Sequence, residues 1–205
     1  MSISPNPAST ATDLTANASG SIDPEGGIVS YNYQWFLNGT TTSNTASTLS
    51  ASLTNKGDNW SVYATPSDGT SSGLPGSAVI TIANTAPVLS AITISPSVAV
   101  LNTDILTCSA TVTDPDEVLN ATYAWNINTV IIGIGATLDL SSTGISPGAI
   151  VTCTATVIDA DNASDSASSS VAIDNRAPTL STIILTPSIL YSSSLAVCTY
   201  TASDS

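Results

Sequence analysis

Acidic side chains gathered in short turns are the residues whose type and spacing best suit ligand chemistry. They lie in two segments, residues 114–117 and 159–161. Calcium takes six to eight oxygen ligands, so the candidate calcium ligands are Asp114, Asp116, Glu117, Asp159 and Asp161. A second interpretation needs no metal, because Asp and Pro favour turns and Asp side chains cap nearby N–H groups. The similar spacing of Asp23, Glu25 and Asp68 favours this turn interpretation.

Catalytic groups of other kinds are scarce. The chain has no His, so the usual general base is missing and a Ser-His-Asp or Cys-His arrangement cannot form. Three cysteines without His do not provide a zinc site within one domain. Carboxylate pairs serve glycosidases, but such sites need a cleft on a larger scaffold. We therefore predict that the chain is not an enzyme and has no cofactor other than the candidate calcium.

Net charge and hydropathy narrow the set of partners. The formal charge is −13, with Lys56 and Arg176 as the two basic residues. Such a chain has little with which to neutralise nucleic-acid phosphates or an anionic lipid surface. Its longest apolar run, residues 130–135, is far shorter than the roughly 20 residues of a membrane-spanning helix. We expect no nucleic-acid partner and no membrane insertion.

An internal repeat organises the chain. The segment 84–90, Asn-Thr-Ala-Pro-Val-Leu-Ser, recurs 91 residues later as Asn-Arg-Ala-Pro-Thr-Leu-Ser. The segments 3–5, 94–96 and 185–187 recur at the same interval. These matches predict repeats at 1–83, 84–174 and 175–205. The third holds only the first strands of a unit, and we expect its remainder beyond this chain.

Within the second repeat, apolar and polar residues alternate over short stretches bounded by Pro, Gly, Asn and Asp. This period of two is typical of half-buried strands, and no helical pattern competes with it. The predicted strands are 89–95, 105–112, 121–126, 129–132, 136–140, 150–157 and 168–173. About seven strands in such a repeat predict an all-β chain of tandem two-sheet sandwiches.

The second repeat resembles immunoglobulin domains in the order of three residues. Alternation places Cys108 and Cys153 on the inward faces of their strands, and Trp125 lies on a strand between them. The resemblance implies a disulfide between the two sheets, packed against the indole. Two buried free thiols are the alternative.

The other repeats vary this pattern. The first keeps a tryptophan, Trp35, but has Ala16 and Val62 at the cysteine positions, so packing alone must stabilise it. In the third, Cys198 aligns with Cys108. We interpret it as a half-cystine whose partner lies outside this chain. Trp35 and Trp125 are the predicted core aromatic residues.

A second resemblance lies in the first repeat. Residues 19–31, Ser-Gly-Ser-Ile-Asp-Pro-Glu-Gly-Gly-Ile-Val-Ser-Tyr, resemble the PKD pattern that leads into a Tyr-and-Trp strand. The following segment, 34–40, departs from the family's Trp-Asp-Phe-Gly-Asp-Gly turn, so the resemblance is to PKD-like or immunoglobulin-like repeats. It implies a module of large prokaryotic surface or secreted proteins, such as a spacer, adhesin stalk or filament component.

Five Asn-x-Ser/Thr triplets are candidate glycan acceptors for a glycoprotein in an extracellular or cell-surface setting. They begin at Asn17, Asn38, Asn59, Asn120 and Asn162. A chain this rich in Ser, Thr and Asn also generates such triplets by chance. Glycans are therefore expected partners only if the host modifies these positions.

The junctions 84–87 and 175–178 are short and contain a proline, which favours a semi-rigid connection. The leading functional hypothesis is therefore a structural or adhesive module that forms a stiff rod, stalk or filament component. Its partners would be neighbouring repeats and copies of itself, paired through exposed edge strands such as those of 175–205. The alternative is a carbohydrate-binding accessory module of a secreted enzyme, whose stacking candidates are Tyr31, Tyr63 and Tyr191.

Overall fold

A computed structural model of the chain describes residues 1–189 and 191–203, which contain strands and two short 3₁₀ turns, Ala51–Leu53 and Leu140–Ser142. The prediction of an all-β fold is confirmed. The strands are β1 (Ser2–Ser4), β2 (Ala8–Ser9), β3 (Leu14–Asn17), β4 (Ser30–Leu37), β5 (Thr40–Thr41), β6 (Thr48–Leu49), β7 (Asn59–Ser67), β8 (Gly76–Ala83), β9 (Val88–Leu89), β10 (Thr93–Ser95), β11 (Ile105–Ser109), β12 (Val112–Thr113), β13 (Thr122–Ile127), β14 (Val130–Ile134), β15 (Thr137–Asp139), β16 (Ile150–Ile158), β17 (Ser164–Ala172), β18 (Thr179–Thr186) and β19 (Val197–Ser203).

The chain divides into two compact units that do not follow the sequence in two continuous blocks. Unit 1 comprises Met1–Ser90, Thr111–Ala121 and Val157–Asp165. Unit 2 comprises Ala91–Ala110, Thr122–Thr156 and Ser166–Ser205, of which Leu190, Asp204 and Ser205 lie outside the described residues. The repeat boundaries at 83/84 and 174/175 stay a prediction. The third predicted repeat, 175–205, also ends in residues that lie outside the described ranges.

Unit 1 contains a sandwich of two sheets. One sheet has the order β1-β3-β6, and the other has the order β2-β8-β7-β4-β5. Their inward residues alternate with outward ones, as along β7, where Trp60, Val62 and Ala64 are buried. The buried cluster of this sandwich consists of Ile3, Ala8, Leu14, Ala16, Trp35, Leu49, Trp60, Val62, Ile80 and Ile82. This core contains no cysteine, so apolar packing stabilises it.

Unit 2 contains the corresponding elements of a second sandwich. Its sheets have the orders β10-β11-β15 and β14-β13-β16-β17, and β16 and β17 also contribute end residues to unit 1. The buried cluster consists of Ile94, Val100, Leu106, Cys108, Trp125, Leu138, Leu140, Ile145, Val151, Cys153, Val171 and Ile173. Along β16, Val151, Cys153 and Ala155 are buried and their neighbours are not. This is the alternation that the sequence displays.

The first two predicted strands of the second repeat differ from the structure because each is divided in two. Where 89–95 and 105–112 were expected, β9 pairs with β12 and β10 pairs with β11. At the break, the N–H of Thr111 donates to the Ser90 hydroxyl at 2.8 Å. The N–H of Ala110 donates to the Tyr123 hydroxyl at 3.2 Å. Side-chain oxygens therefore replace ladder acceptors at these positions.

Three strand pairs have the same register at positions 91 residues apart in the first strand of each pair. Ile3 pairs with Ala16 across β1 and β3, and Ile94 pairs with Cys108 across β10 and β11. Leu185 pairs with Cys198 across β18 and β19 in the same antiparallel sense. The first two pairs lie in buried cores. Every residue of β18 and β19 is exposed.

Candidate functional site

A disulfide and a tryptophan form the centre of the second sandwich. Cys108 and Cys153 are bonded, with their Cα atoms 6.5 Å apart, and both side chains are buried. Trp125 lies opposite Cys153 in the β13–β16 register and is fully buried. Its Nε1 donates a hydrogen bond to the Gly135 carbonyl oxygen at 2.9 Å. These groups have no access to a substrate, so their role is structural.

The first sandwich repeats the tryptophan contact without the disulfide. Trp35 is fully buried, and its Nε1 donates to the Ala46 carbonyl oxygen at 2.9 Å. Trp35 lies opposite Val62 in the β4–β7 register. The indole of Trp60 meets that of Trp35 edge to face, with ring centroids 6.3 Å apart. The sequence identifies Trp35 as core but not its carbonyl acceptor, which lies in a segment with no alternating pattern.

The five carboxylates proposed as calcium ligands lie in unit 1, and two of them, Asp114 and Asp159, cap their own turns. Asp114 Oδ1 accepts hydrogen bonds from the N–H groups of Asp116 at 2.7 Å and Glu117 at 3.2 Å. Asp159 Oδ1 accepts from the N–H groups of Asp161 at 2.9 Å and Ala163 at 2.7 Å. This is the turn chemistry that the sequence offered as the second interpretation.

The same loops are bound to the segment that follows β8. Asn84 Nδ2 donates to Asp159 Oδ2 at 2.6 Å, and the N–H of Thr85 donates to Asp116 Oδ2 at 2.8 Å. Asp159 is only 5% exposed. Burial alone would raise its pKa, but the hydrogen bonds from Asn84, Ala163 and Asp161 and the charge of Lys56 together hold the pKa below its ordinary value. Asp159 is therefore a charged anchor of this loop.

Lys56 places a positive charge beside Glu117 and Asp161, the two remaining candidate ligands. Its Nζ donates to Glu117 Oε1 at 3.1 Å and to Asp161 Oδ2, and these three residues are called the Lys56 cluster. The hydrogen bonds to Asp161 and then to Glu117 raise the pKa of Lys56. Within residues 1–189 and 191–203, no three acidic, His or Cys side chains are arranged to hold a metal ion. The ammonium group of Lys56 is the cation beside these two carboxylates, and calcium binding stays a prediction.

Sequence reasoning missed Lys56 as a member of this site. The available signal was composition, since Lys56 is one of two basic residues in a chain of charge −13. Its partners lie 61 and 105 residues away along the chain. No local spacing encodes contacts of that range.

The acidic side chains in the turns of the first repeat also accept hydrogen bonds from N–H groups of their own turns. Asp23 accepts hydrogen bonds from the N–H groups of Glu25 at 3.0 Å and Gly27 at 2.7 Å. A Cβ at Gly27 would clash with Asp23 Oδ2, so a side chain there would displace this carboxylate from its N–H donors. The N–H groups of Ser71 and Thr70 donate to Asp68 and lower its pKa. These carboxylates also cap turns.

Replacing Asp159 by asparagine is expected to change how stability depends on pH. Because the folded pKa of Asp159 lies below the ordinary value of 3.8, its charge stabilises the folded chain above that pH. This contribution is lost as the pH falls through the folded pKa. In urea unfolding, Asp159→Asn should therefore lower stability at pH 7, and the difference from the native chain should shrink below pH 3.8.

Asp13→Asn is the matched control, because it also removes one carboxylate that accepts a backbone N–H, at 2.7 Å from Ala51. Subtracting the stability change of Asp13→Asn from that of Asp159→Asn removes the contribution of the altered net charge. A deficit of Asp159→Asn that stayed constant down to the lowest pH would show that the charge of Asp159 has no such role.

The asparagines of all five candidate glycan triplets lie at exposed positions. They are Asn17, Asn38, Asn59, Asn120 and Asn162. Asn38 and Asn162 have positive φ, at 49° and 67°, a conformation that asparagine tolerates in tight turns. Asn38 Oδ1 also accepts a hydrogen bond from the N–H of Asn59 at 3.0 Å. Glycan occupancy stays a prediction.

Aromatic side chains show a sharp division between core and surface. Trp35, Trp60 and Trp125 are each at most 3% exposed. Tyr63 is 44% exposed and Tyr191 is 73% exposed. The hydroxyl of Tyr31, the third stacking candidate, accepts the N–H of Ser21 at 3.1 Å. Hydrogen bonding with the side chain of Ser21, and then with its backbone, lowers the pKa of Tyr31.

Cys198 is a free, exposed thiol opposite Leu185 in the β18–β19 hairpin.

In the part of the chain that the structure describes, no helix has the length and apolar character needed to cross a membrane.

Solved structures that align with this chain do so at low similarity. The three N-terminal domains of the highly immunogenic outer capsid protein (Hoc) of bacteriophage RB49 align with a TM-score of 0.34 and 15% identity, over 94% of this chain and 63% of that chain. A Ca²⁺-stabilized adhesin that helps an Antarctic bacterium bind ice aligns with a TM-score of 0.28 and 15% identity, over 83% of this chain and 46% of that chain. This chain thus spans less than two thirds of either protein. No protein-family model and no curated protein matches it.

Proposed function

We propose that the chain is a non-enzymatic extracellular module whose immunoglobulin-like repeats are fastened into a stiff spacer or stalk. The observation that carries the proposal is the set of polar contacts in unit 1. There, Lys56, Asn84 and Thr85 hold the loops that contain Asp116 and Asp159. A spacer has to keep its two ends at a fixed separation and does not need to bind a small molecule. Polar contacts of this kind oppose bending at a repeat junction.

Cysteine chemistry supports an oxidising compartment. A buried disulfide such as Cys108–Cys153 forms and persists in oxidising surroundings, which are found outside the cell or at its surface. The acidic surface, with a net charge of −13, favours solubility there. Both features support an extracellular or cell-surface location.

The alternative function, carbohydrate binding, needs a solvent-facing aromatic platform. All three tryptophans are buried, which removes the strongest stacking groups from the surface. Tyr63 is packed edge to face against Phe36, with ring centroids 5.3 Å apart. A glycan array tests the alternative directly, and we expect no glycan to be bound.

Replacing Lys56 by methionine tests the fastening. We expect ¹⁵N relaxation of the native chain to give residues 159–163 the same order parameters as β7, since both segments lie in unit 1. Lys56→Met should increase the fast motion of residues 159–163, because Glu117 and Asp161 lose their shared cation. Neither sandwich should lose stability, since an exposed ion pair contributes little to folding.

Arg176→Met is the control, because it removes the other basic residue of the chain and leaves the Lys56 cluster intact. It should behave like the native chain. Order parameters of residues 159–163 well below those of β7 in the native chain itself would contradict the proposed fastening.

A further inference from the structure

Two peptide bonds of the chain join an aspartate to a proline. They are Asp23–Pro24 and Asp114–Pro115. Such a bond is hydrolysed more easily than other peptide bonds for two reasons. The proline nitrogen belongs to a tertiary amide and leaves readily once it has taken up a proton. The aspartate carboxyl group also attacks its own carbonyl carbon intramolecularly, because this closes a five-membered ring.

Both carboxyl oxygens of Asp23 are held by hydrogen bonds. Oδ1 accepts the N–H of Glu25 at 3.0 Å, and Oδ2 accepts the N–H of Gly27 at 2.7 Å. An attack of Asp23 on its own carbonyl carbon must first break one of these bonds. Breaking a hydrogen bond to a charged group slows such a step by about tenfold or more.

Asp114 has one carboxyl oxygen that no donor holds. Its Oδ1 accepts the N–H groups of Asp116 and Glu117 and so caps the turn. Its Oδ2 is buried and has no hydrogen-bond partner in the part of the chain that the structure describes. Nothing has to be removed from the lone pairs of this oxygen before it attacks. Asp114 is therefore better prepared than Asp23 for intramolecular attack.

Water reaches both bonds to a similar degree. A surface cavity of about 650 Å³ is lined by residues that include Asp114 and Pro115. Another, of about 220 Å³, is lined by residues that include Asp23 and Pro24. Both prolines are exposed. The state of the carboxyl oxygens, and not access to water, is thus the difference between the two bonds.

We propose that Asp114–Pro115 is a self-cleavage site, at which Oδ2 of Asp114 severs the peptide bond of its own residue in mild acid. Oδ2 forms a bond to the carbonyl carbon of Asp114, the bond from this carbon to the Pro115 nitrogen breaks, and the nitrogen takes up a proton from water. The cyclic anhydride left on residue 114 then adds one water molecule, which yields the side-chain and α-carboxyl groups of a new C-terminus. The reaction consumes water and needs no oxidant or reductant.

The disulfide keeps the two products together. The cut lies between Cys108 and Cys153, which are bonded to each other. Fragments 1–114 and 115–205 therefore stay joined until the disulfide is reduced. The inference goes beyond the proposed spacer function and does not rest on it.

Incubation of the full chain at about pH 4, near the ordinary pKa of an aspartate, is the test. Mass spectrometry should show a chain that has gained one water molecule, and reduction should release fragments 1–114 and 115–205. Asp114–Pro115 should be cut about tenfold or more faster than Asp23–Pro24, because Asp23 first has to break a hydrogen bond. In urea the two rates should become similar, since the unfolded chain holds neither carboxyl group.

Replacing the proline of each bond separates the two sites. Pro115→Ala keeps the Asp114 carboxyl group but replaces the leaving nitrogen by that of a secondary amide, so fragment 1–114 should nearly disappear. Pro24→Ala is the matched control, because it makes the same exchange at the other bond. It should leave the release of fragment 1–114 unchanged. Far-UV circular dichroism checks that both variants keep their β content.

Three results would each overturn the inference. The native chain could stay intact at a pH at which the chain in urea is cut. The two bonds could be cut at equal rates in the native chain. The faster cleavage of Asp114–Pro115 could persist in urea, which would assign it to the local sequence and not to the free carboxyl oxygen of the folded chain.

Discussion

Reducing the Cys108–Cys153 disulfide, or replacing both cysteines by alanine, is expected to lower the stability of the second sandwich by about 4 kcal/mol. The bond closes a loop of 45 residues, and opening it releases that loop's entropy to the unfolded chain. A loss of this size is a large part of the stability of a small domain. Urea unfolding, followed through amide signals of β13 and β16, measures it.

The first sandwich is the internal control for this experiment. Its core has Ala16 and Val62 at the positions equivalent to the two cysteines, so a reductant has nothing to cleave there. Amide signals of β4 and β7 should therefore keep their urea midpoint. An equal shift of both sandwiches, or none in β13 and β16, would contradict the assignment of the disulfide as the centre of one core.

Trp35→Ala should destabilise the first sandwich by about 3–5 kcal/mol. The indole is fully buried, contacts Trp60 and donates to the Ala46 carbonyl oxygen. Alanine leaves a cavity among rigid strand side chains and an unsatisfied carbonyl. No disulfide limits the damage in this core. The urea midpoint of β4 and β7 amides gives the magnitude.

Two further variants separate the causes of this loss. Trp35→Phe keeps an aromatic ring but loses the Nε1 donor, so it should cost less than alanine. Tyr63→Ala changes a partly exposed aromatic residue of the same sheet and should have a small effect. If Tyr63→Ala were as costly as Trp35→Ala, the distinction between core and surface in this sandwich would be wrong.

Strands of the second core were predictable because alternation of apolar and polar residues reports burial directly. In β16, Val151, Cys153 and Ala155 point inward as their spacing of two requires. The division of the first two strands of the second repeat was not predictable. It depends on hydroxyl acceptors from Ser90 and Tyr123, which are distant in sequence from the N–H groups that they bind.

The acidic turns show where sequence reasoning reaches its limit. The residue types of Asp114 and Asp159 fit calcium ligands and turn caps equally well, because both uses need carboxylate oxygens. The structure shows the caps, and it shows Asp161 and Glu117 directed to Lys56. The contact with Lys56 depends on long-range placement, which a spacing rule does not contain, and calcium binding stays a prediction.

Pulling single chains from both ends tests the central claim most directly, namely that the chain is a series of self-contained sandwiches with a mechanical role. The account predicts separate, discrete unfolding events for the two sandwiches. Reduction should lengthen the event of the second sandwich by about 150 Å, because the 45-residue loop then extends. The event of the first sandwich should keep its length. Smooth extension without discrete events, or equal lengthening of both events on reduction, would contradict the account.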